Sequence, residues 1–379
     1  MPQITSRDRV MTALNHKEPD RVPIDVGGFV SGICYIAYDN LKKKLGIISE
    51  TEIDNPVTGT VIVEEEVLKR FRIDTRHIKS NPGSDYDPQW RDDESFVDEF
   101  GVRWKKPVSS YYYDMIEHPM KDGTIAALKN YKLPEPSDSA RVEGLYEKAK
   151  KYHEQGFAVF SAVPGLFELA TYIRGMADLF TDSYDNRDFL EAFLDKLLEN
   201  LIQTNDYFLE KTSPYVDGIT IWGDLSDQRG PYLKPEMWRQ IYKPREAELI
   251  KGLKKHLDKV GGKVVLHTCG SPWLLMDDII EMGVDVLNPV QTTAENMDPF
   301  ILKERFGEKI SFWGGVSGQT VMPFGTTADV IAESKRIISA LGPGGGYIFG
   351  NCHNIQNDVP ADNLISLFDS GYEFGKYGL

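Results

Sequence analysis

Eight short runs rich in β-branched and aromatic residues recur along the 379-residue chain, and stretches with helical periodicity separate them. They are RVPIDVG (21–27), DTRHIKS (74–80), FAVFSAVPG (157–165), VDGITIWGDL (216–225), KVVLHTCG (263–270), VDVLNPVQ (284–291), ISFWGGVSG (310–318) and GYIFGNCHNI (346–355). Among the intervening stretches, RDFLEAFLDKLLENLIQTNDYFLEK (187–211) sets Leu, Phe and Ile three and four residues apart, which gives a helix one apolar face. Parallel strands need a crossover between them, usually a helix. Eight consecutive β–α units close into a barrel. The expected fold class is α/β, a (β/α)8 TIM barrel forming a single domain over residues 1–379.

The spacing is uneven at one place. The second run ends near Ser80 and the third begins at Phe157, which leaves room for an insertion after the second strand. Within it, SFVDEFGVRWKKPVSSYYYDMIEHPM (95–120) alternates aromatic and polar residues like strands around a turn at Gly101. A β-rich cap is therefore expected at about residues 81–135, over one end of the barrel. Strand alternation lets at most Tyr111 and Tyr113 of the tyrosine run share a face. Tyr113 is a candidate substrate contact, with a half-exposed cap strand as the plainer alternative. KLPEPSDS (132–139) is the one linker-like stretch. GPGGG (342–346) precedes a strand instead of joining a strand to a following helix, so it reads as a tight turn at the far end of the barrel and not as a phosphate loop.

The 58 acidic residues outnumber the 43 basic ones, a formal net charge of −15, which opposes nucleic acid or an anionic membrane as the main partner. The first 23 residues have no apolar core of signal-peptide length, and no stretch approaches the roughly 20 apolar residues of a membrane span. A cytoplasmic location is the expectation. Three cysteines, Cys34, Cys269 and Cys352, cannot all pair, and in a reducing compartment free thiols or metal binding replace disulfides.

The fifth run ends in VLHTCG, with His267 and Cys269 two residues apart. On a strand that spacing turns both side chains to one face. Cys352, near the end of the eighth run, offers a third soft donor, and three protein ligands are what a catalytic zinc keeps beside one open position. Both pieces fall at strand C-terminal ends, where barrel active sites gather. A packed core histidine beside a buried thiol is the competing account of H-x-C alone. Cys34, in SGICYIAY, reads as a buried cysteine.

KEPDRVPID (17–25), VLHTCG and GGGYIFGNCHNIQNDVPADN (344–363) resemble the uroporphyrinogen decarboxylase superfamily, specifically its zinc-dependent, corrinoid-linked methyltransferase branch. The resemblance spans nearly the whole chain. It implies a barrel in which His267, Cys269 and Cys352 hold Zn2+. The decarboxylases carry an arginine-containing M-R-Q-A-G-R-like motif after the first strand for binding propionates; VGGFVSGICYIAY (26–38) stands there instead, with no arginine. VDEFGVRWKK (97–106) and CHNIQNDVP (352–360) are most similar to members that take methyl from aryl methyl ethers. The implied function is O-demethylation, with methyl passing from a small donor to the cobalt of a separate corrinoid protein. No D-x-H-x-x-G corrinoid signature occurs in this chain, so the corrinoid (cobalamin) would arrive on a partner. The alternatives are methylcobamide:thiol transfer of the coenzyme M type, decarboxylation, and a non-catalytic zinc-containing binding protein.

Four further residues are candidates. Glu168, just beyond the third strand, is a fourth ligand or proton donor, or else a carboxylate favoured by a helix N-terminus. Asp224, after the fourth, orients substrate or braces a zinc ligand, or else caps a loop. Gln291 and His353 face the expected mouth and are candidate substrate contacts.

Overall fold

The structure, a computed structural model, describes residues 4–88, 90–91, 93–108, 110 and 112–378. Seven of the expected strands form one parallel sheet in chain order: Thr75–His77, Ala158–Pro164, Gly218–Trp222, Lys263–His267, Val286–Asn288, Ser311–Trp313 and Tyr347–Ile348. The first run completes the circle. Ile24 bridges Phe349 in parallel on one side, and on the other its carbonyl accepts from the Asp74 amide at 2.9 Å. The chain is a (β/α)8 barrel.

Closure at this seam rests on one buried carboxylate. Asp74 accepts from Arg9 at 2.7 Å, from Arg21 at 2.7 and 3.0 Å, from Ser6 at 2.8 Å and from the Ile24 amide at 2.9 Å. Arg9 belongs to the helix Ser6–Leu14, whose Val10 and Leu14 pack on Phe160, Val265, Trp313 and Ile348, so this helix plugs the N-terminal end of the barrel. The turn at Gly344–Gly346 sits at that end, its amides donating to Glu18 and to the Ala13 carbonyl, as the sequence predicts. Outside, the apolar face of Arg187–Thr212, including Leu190, Leu194, Leu197 and Leu201, is buried.

The insertion forms a three-stranded antiparallel sheet of Ser95–Val97, Arg103–Lys105 and Asp114–Glu117. Its first turn is built by Asp98, whose Oδ1 accepts from the amides of Phe100 and Val102 at 2.9 Å each while Oδ2 accepts from Trp104 Nε1 at 2.8 Å. Trp104 meets Tyr172 edge-on at 5.4 Å. Tyr172 lies on the helix Leu166–Arg174 that leaves the third strand's C-terminal end, so the cap rests on the mouth side. No helix among the described residues is long and apolar enough to cross a membrane.

Candidate metal centre

Register places the site. Trp222, His267 and Asn288 are lateral partners across the ends of the fourth, fifth and sixth strands, and lateral partners on parallel strands face the same way. The His267 ring therefore meets Asn288, with Nδ1 2.5 Å from Oδ1. That contact makes Nδ1 the donor and leaves Nε2 as the lone-pair nitrogen. The strand stops at His267, and Cys269 sits in the turn beyond it with its Sγ 3.7 Å from His267 Nε2.

This turn is fixed by its neighbours. Asp224 accepts from the Cys269 amide at 2.7 Å, Gln291 Oε1 accepts from the Gly270 amide at 2.7 Å, and Ser226 donates to the Cys269 carbonyl at 2.7 Å. Gly270 has φ +77°, and a Cβ there would stand 2.2 Å from the Asp227 carbonyl oxygen, so only glycine fits.

A third donor comes from His353. Donor atoms of His267, Cys269 and His353 all lie within 4.8 Å of one another, whereas Cys352 is outside this group. Asn351 bridges Val316, the Cys352 amide donates to the Val316 carbonyl at 2.8 Å, and the chain then bends through Cys352–Asn354. His353 turns toward His267, with ring centroids 5.3 Å apart, and Cys352 is buried. His353, expected as a substrate contact, lies in this donor group, and Cys352 is near enough to Cys269 to act on its thiol.

The His267–Cys269 edge suits zinc. Tetrahedral bonds of about 2.3 Å to sulfur and about 2.0–2.1 Å to nitrogen imply an S···N edge of about 3.6 Å; the observed 3.7 Å matches, and His353 completes a group that lies within 4.8 Å. Burial pushes His267 down to about 4, and burial with repulsion from His267 takes His353 to about 4, so both imidazoles are neutral near pH 7. Burial, the Asp224 charge and then Cys352 push the Cys269 thiol well above its ordinary range. Only a cation in the site would draw off that proton near neutral pH.

The other candidates surround this group. Glu168 Oε2 accepts from the Asp224 amide at 3.0 Å; burial, then the Asp224 charge, push its carboxyl up to about 7. It is not among the grouped donors. Asp224 acts through Cys269, and Gln291 is engaged by the Gly270 amide. Tyr113 is spent in the cap, packed edge-on against Phe96 at 5.6 Å and Trp90 at 6.1 Å, and Tyr111 lies outside the described residues. Asn288 was missed by sequence reasoning; its signal is a polar residue closing the apolar run VDVLN one strand from His267. A cavity of about 460 Å3 runs through the barrel past Asn288, Trp222, Trp313 and His77.

A closed β/α barrel carrying a partly buried N/N/S donor group at its strand C-terminal ends belongs to the class of barrel enzymes whose chemistry sits at the mouth. Residues 114–374 match the family model described as Uroporphyrinogen decarboxylase (URO-D), and the chain belongs to that family. The uroporphyrinogen decarboxylases of Shewanella piezotolerans and Shewanella halifaxensis are each 25% identical to it over 265 residues, 67% of this chain and 70% of theirs. A solved methyltransferase from Methanosarcina mazei superposes over 98% of this chain and 99% of its own with a TM-score of 0.66 at 17% identity, a likeness of fold.

Proposed function

We propose that this chain is a zinc-dependent methyltransferase that takes methyl from a small donor, an aryl methyl ether, and delivers it to the cobalt of a separate corrinoid protein. The observation that carries this reading is the grouping of His267, Cys269 and His353 at the mouth. The likeness of VDEFGVRWKK and CHNIQNDVP to ether-demethylating members, and the fold shared with the Methanosarcina mazei methyltransferase, support it.

Zinc held there supplies a Lewis acid that stabilises negative charge appearing on the ether oxygen as methyl departs. One thiolate and two imidazoles leave a formal charge of +1 on such a site, where two thiolates and one imidazole would leave 0, so this set polarises more strongly. Asn288 holds the His267 ring so that Nε2 faces the site. Asp224 fixes the cysteine turn. Glu168, its carboxyl pushed up to about 7 by burial and the Asp224 charge, is placed to give a proton to the departing phenolate.

Decarboxylation, the activity in the relatives' names, fits less well. The turn after the first strand, Gly27–Ser31, borders the cavity without an arginine. The two cavity arginines are already paired, Arg76 with Glu65 at 2.8 Å and Arg141 with Glu99.

The test joins metal content to turnover. Zinc is measured in wild type, His353→Ala and Cys352→Ser, and each is mixed with cob(I)alamin and 2-methoxyphenol while methylcobalamin absorbance is followed. About one zinc per chain and methylcobalamin formation are expected in wild type, with both lost in His353→Ala, and the zinc content of Cys352→Ser says whether Cys352 is a further ligand. Zinc-free protein, or zinc without methylcobalamin from any aryl ether, would overturn the proposal.

A further inference from the structure

The barrel cavity carries a second polar group, on the first two strands, that the metal centre does not use. Asp25, 1% exposed, accepts from His77 Nε2 at 2.8 Å, from Trp313 Nε1 at 3.1 Å and from the Thr75 hydroxyl. Its carboxylate is saturated by donors. Burial pushes it upward, but the charge and hydrogen bond of His77 and hydrogen bonds from Ser31 and Thr75 outweigh burial and hold it below the usual carboxylate range. A histidine whose Nε2 is bound to an ionised carboxylate keeps its proton there and presents Nδ1 to whatever lies beyond.

Nδ1 of His77 has no hydrogen-bond partner among the described residues, and the side chain, 18% exposed, lines the cavity. The chain makes room for this ring edge. A Cβ on Gly28 would fall 2.6 Å from His77 Cε1 and 2.8 Å from Nδ1. Next to it Phe29 stacks on Trp222 with centroids 5.0 Å apart, and both border the same cavity. An open imidazole nitrogen backed by a buried carboxylate thus shares the cavity with a stacked aromatic pair.

We propose that the Asp25–His77 pair binds the acidic oxygen, phenolic or carboxylic, of an aromatic ligand whose ring lies against Phe29 and Trp222. The acidic oxygen of the ligand and Nδ1 share one proton in a single hydrogen bond, while Nε2–H stays on Asp25. This rests on the methyl-transfer reading for the choice of an aryl substrate and deepens it by giving that substrate a second, acidic substituent. Binding itself requires neither metal nor methyl acceptor.

The test is calorimetric binding of benzoate, phenol and the neutral isostere benzamide to wild type, His77→Gln, His77→Phe and Cys269→Ser, with folding checked by circular dichroism. Benzoate, phenol or both are expected to bind wild type and Cys269→Ser at least tenfold more tightly than benzamide, and which of them does so identifies carboxylate or phenolate as the group recognised. The preference is expected to vanish in both His77 variants while benzamide affinity stays within twofold. Equal affinity for all three in wild type, no binding of any, or a preference that survives in a folded His77 variant would overturn the proposal. A preference lost in Cys269→Ser but kept in His77→Gln would also overturn it by placing recognition at the donor group. Absence of methylcobalamin formation with the His77-dependent preference intact would refute methyl transfer and leave this site standing.

Discussion

Glu246→Gln is expected to remove a pH-dependent weakness from the helix that carries Glu168. Glu246, 6% exposed on the helix Lys243–Leu257, accepts from the Phe167 amide at 3.0 Å and from that of Leu166, satisfying the first turn of Leu166–Arg174, where the cap residue Gly165 has no side chain to offer. Burial pushes its carboxyl from 4.5 up to about 7. Because the folded value is the higher, the unfolded chain releases this proton first as pH rises. Stability is thus lost between about pH 4.5 and 7, by up to roughly 3 kcal/mol. Glutamine keeps an acceptor for the amides and cannot ionise. Urea unfolding followed by tryptophan fluorescence at pH 5 and pH 8 checks this. Comparison at each pH cancels titrations common to both proteins. The variant should gain on wild type by roughly 2–3 kcal/mol on going from pH 5 to pH 8. An equal stability difference at the two pH values would refute the reasoning, because it would mean that Glu246 does not hold its proton through this range.

Asn288→Ala should free the His267 ring and lower zinc affinity by about 10- to 100-fold with little change in melting temperature, read by competition with a chromophoric chelator. Gly270→Ala forces a left-handed residue, costing about 1–2 kcal/mol before the clash with the Asp227 carbonyl, and should displace the Cys269 turn; loss of zinc with the barrel's circular dichroism retained is the expected result. Asp74→Ala leaves Arg21 without its buried partner and Arg9 with Asp20 alone, and is expected to cost about 3–5 kcal/mol in chemical unfolding at pH 7.

What the sequence revealed and what it hid divide along one physical line. The eight strands, the insertion and the His267–Cys269 pair were legible because each is a local pattern: a β-rich run, a gap, or two residues on one strand. Chain order says that both Cys352 and His353 lie near the eighth strand's end but not which donor atoms come within reach of His267. The stretch is held in place by the pairing of Asn351 with Val316, a contact made 35 residues away in the chain. Asn288 and His267 meet only because three strands share a register, and Asp25 meets His77 and Trp313 only because the barrel closes between its first and last strands. Every polar partner that sequence reasoning missed thus depends on lateral register or on closure. The residues that tune this site are therefore set by the same hydrogen bonds that shape the barrel. Disturbing the seam at Asp74 should consequently reach Asp25 and His77 on the adjoining strands before it reaches His267 and Cys269, whose turn is braced from the fourth and sixth strands.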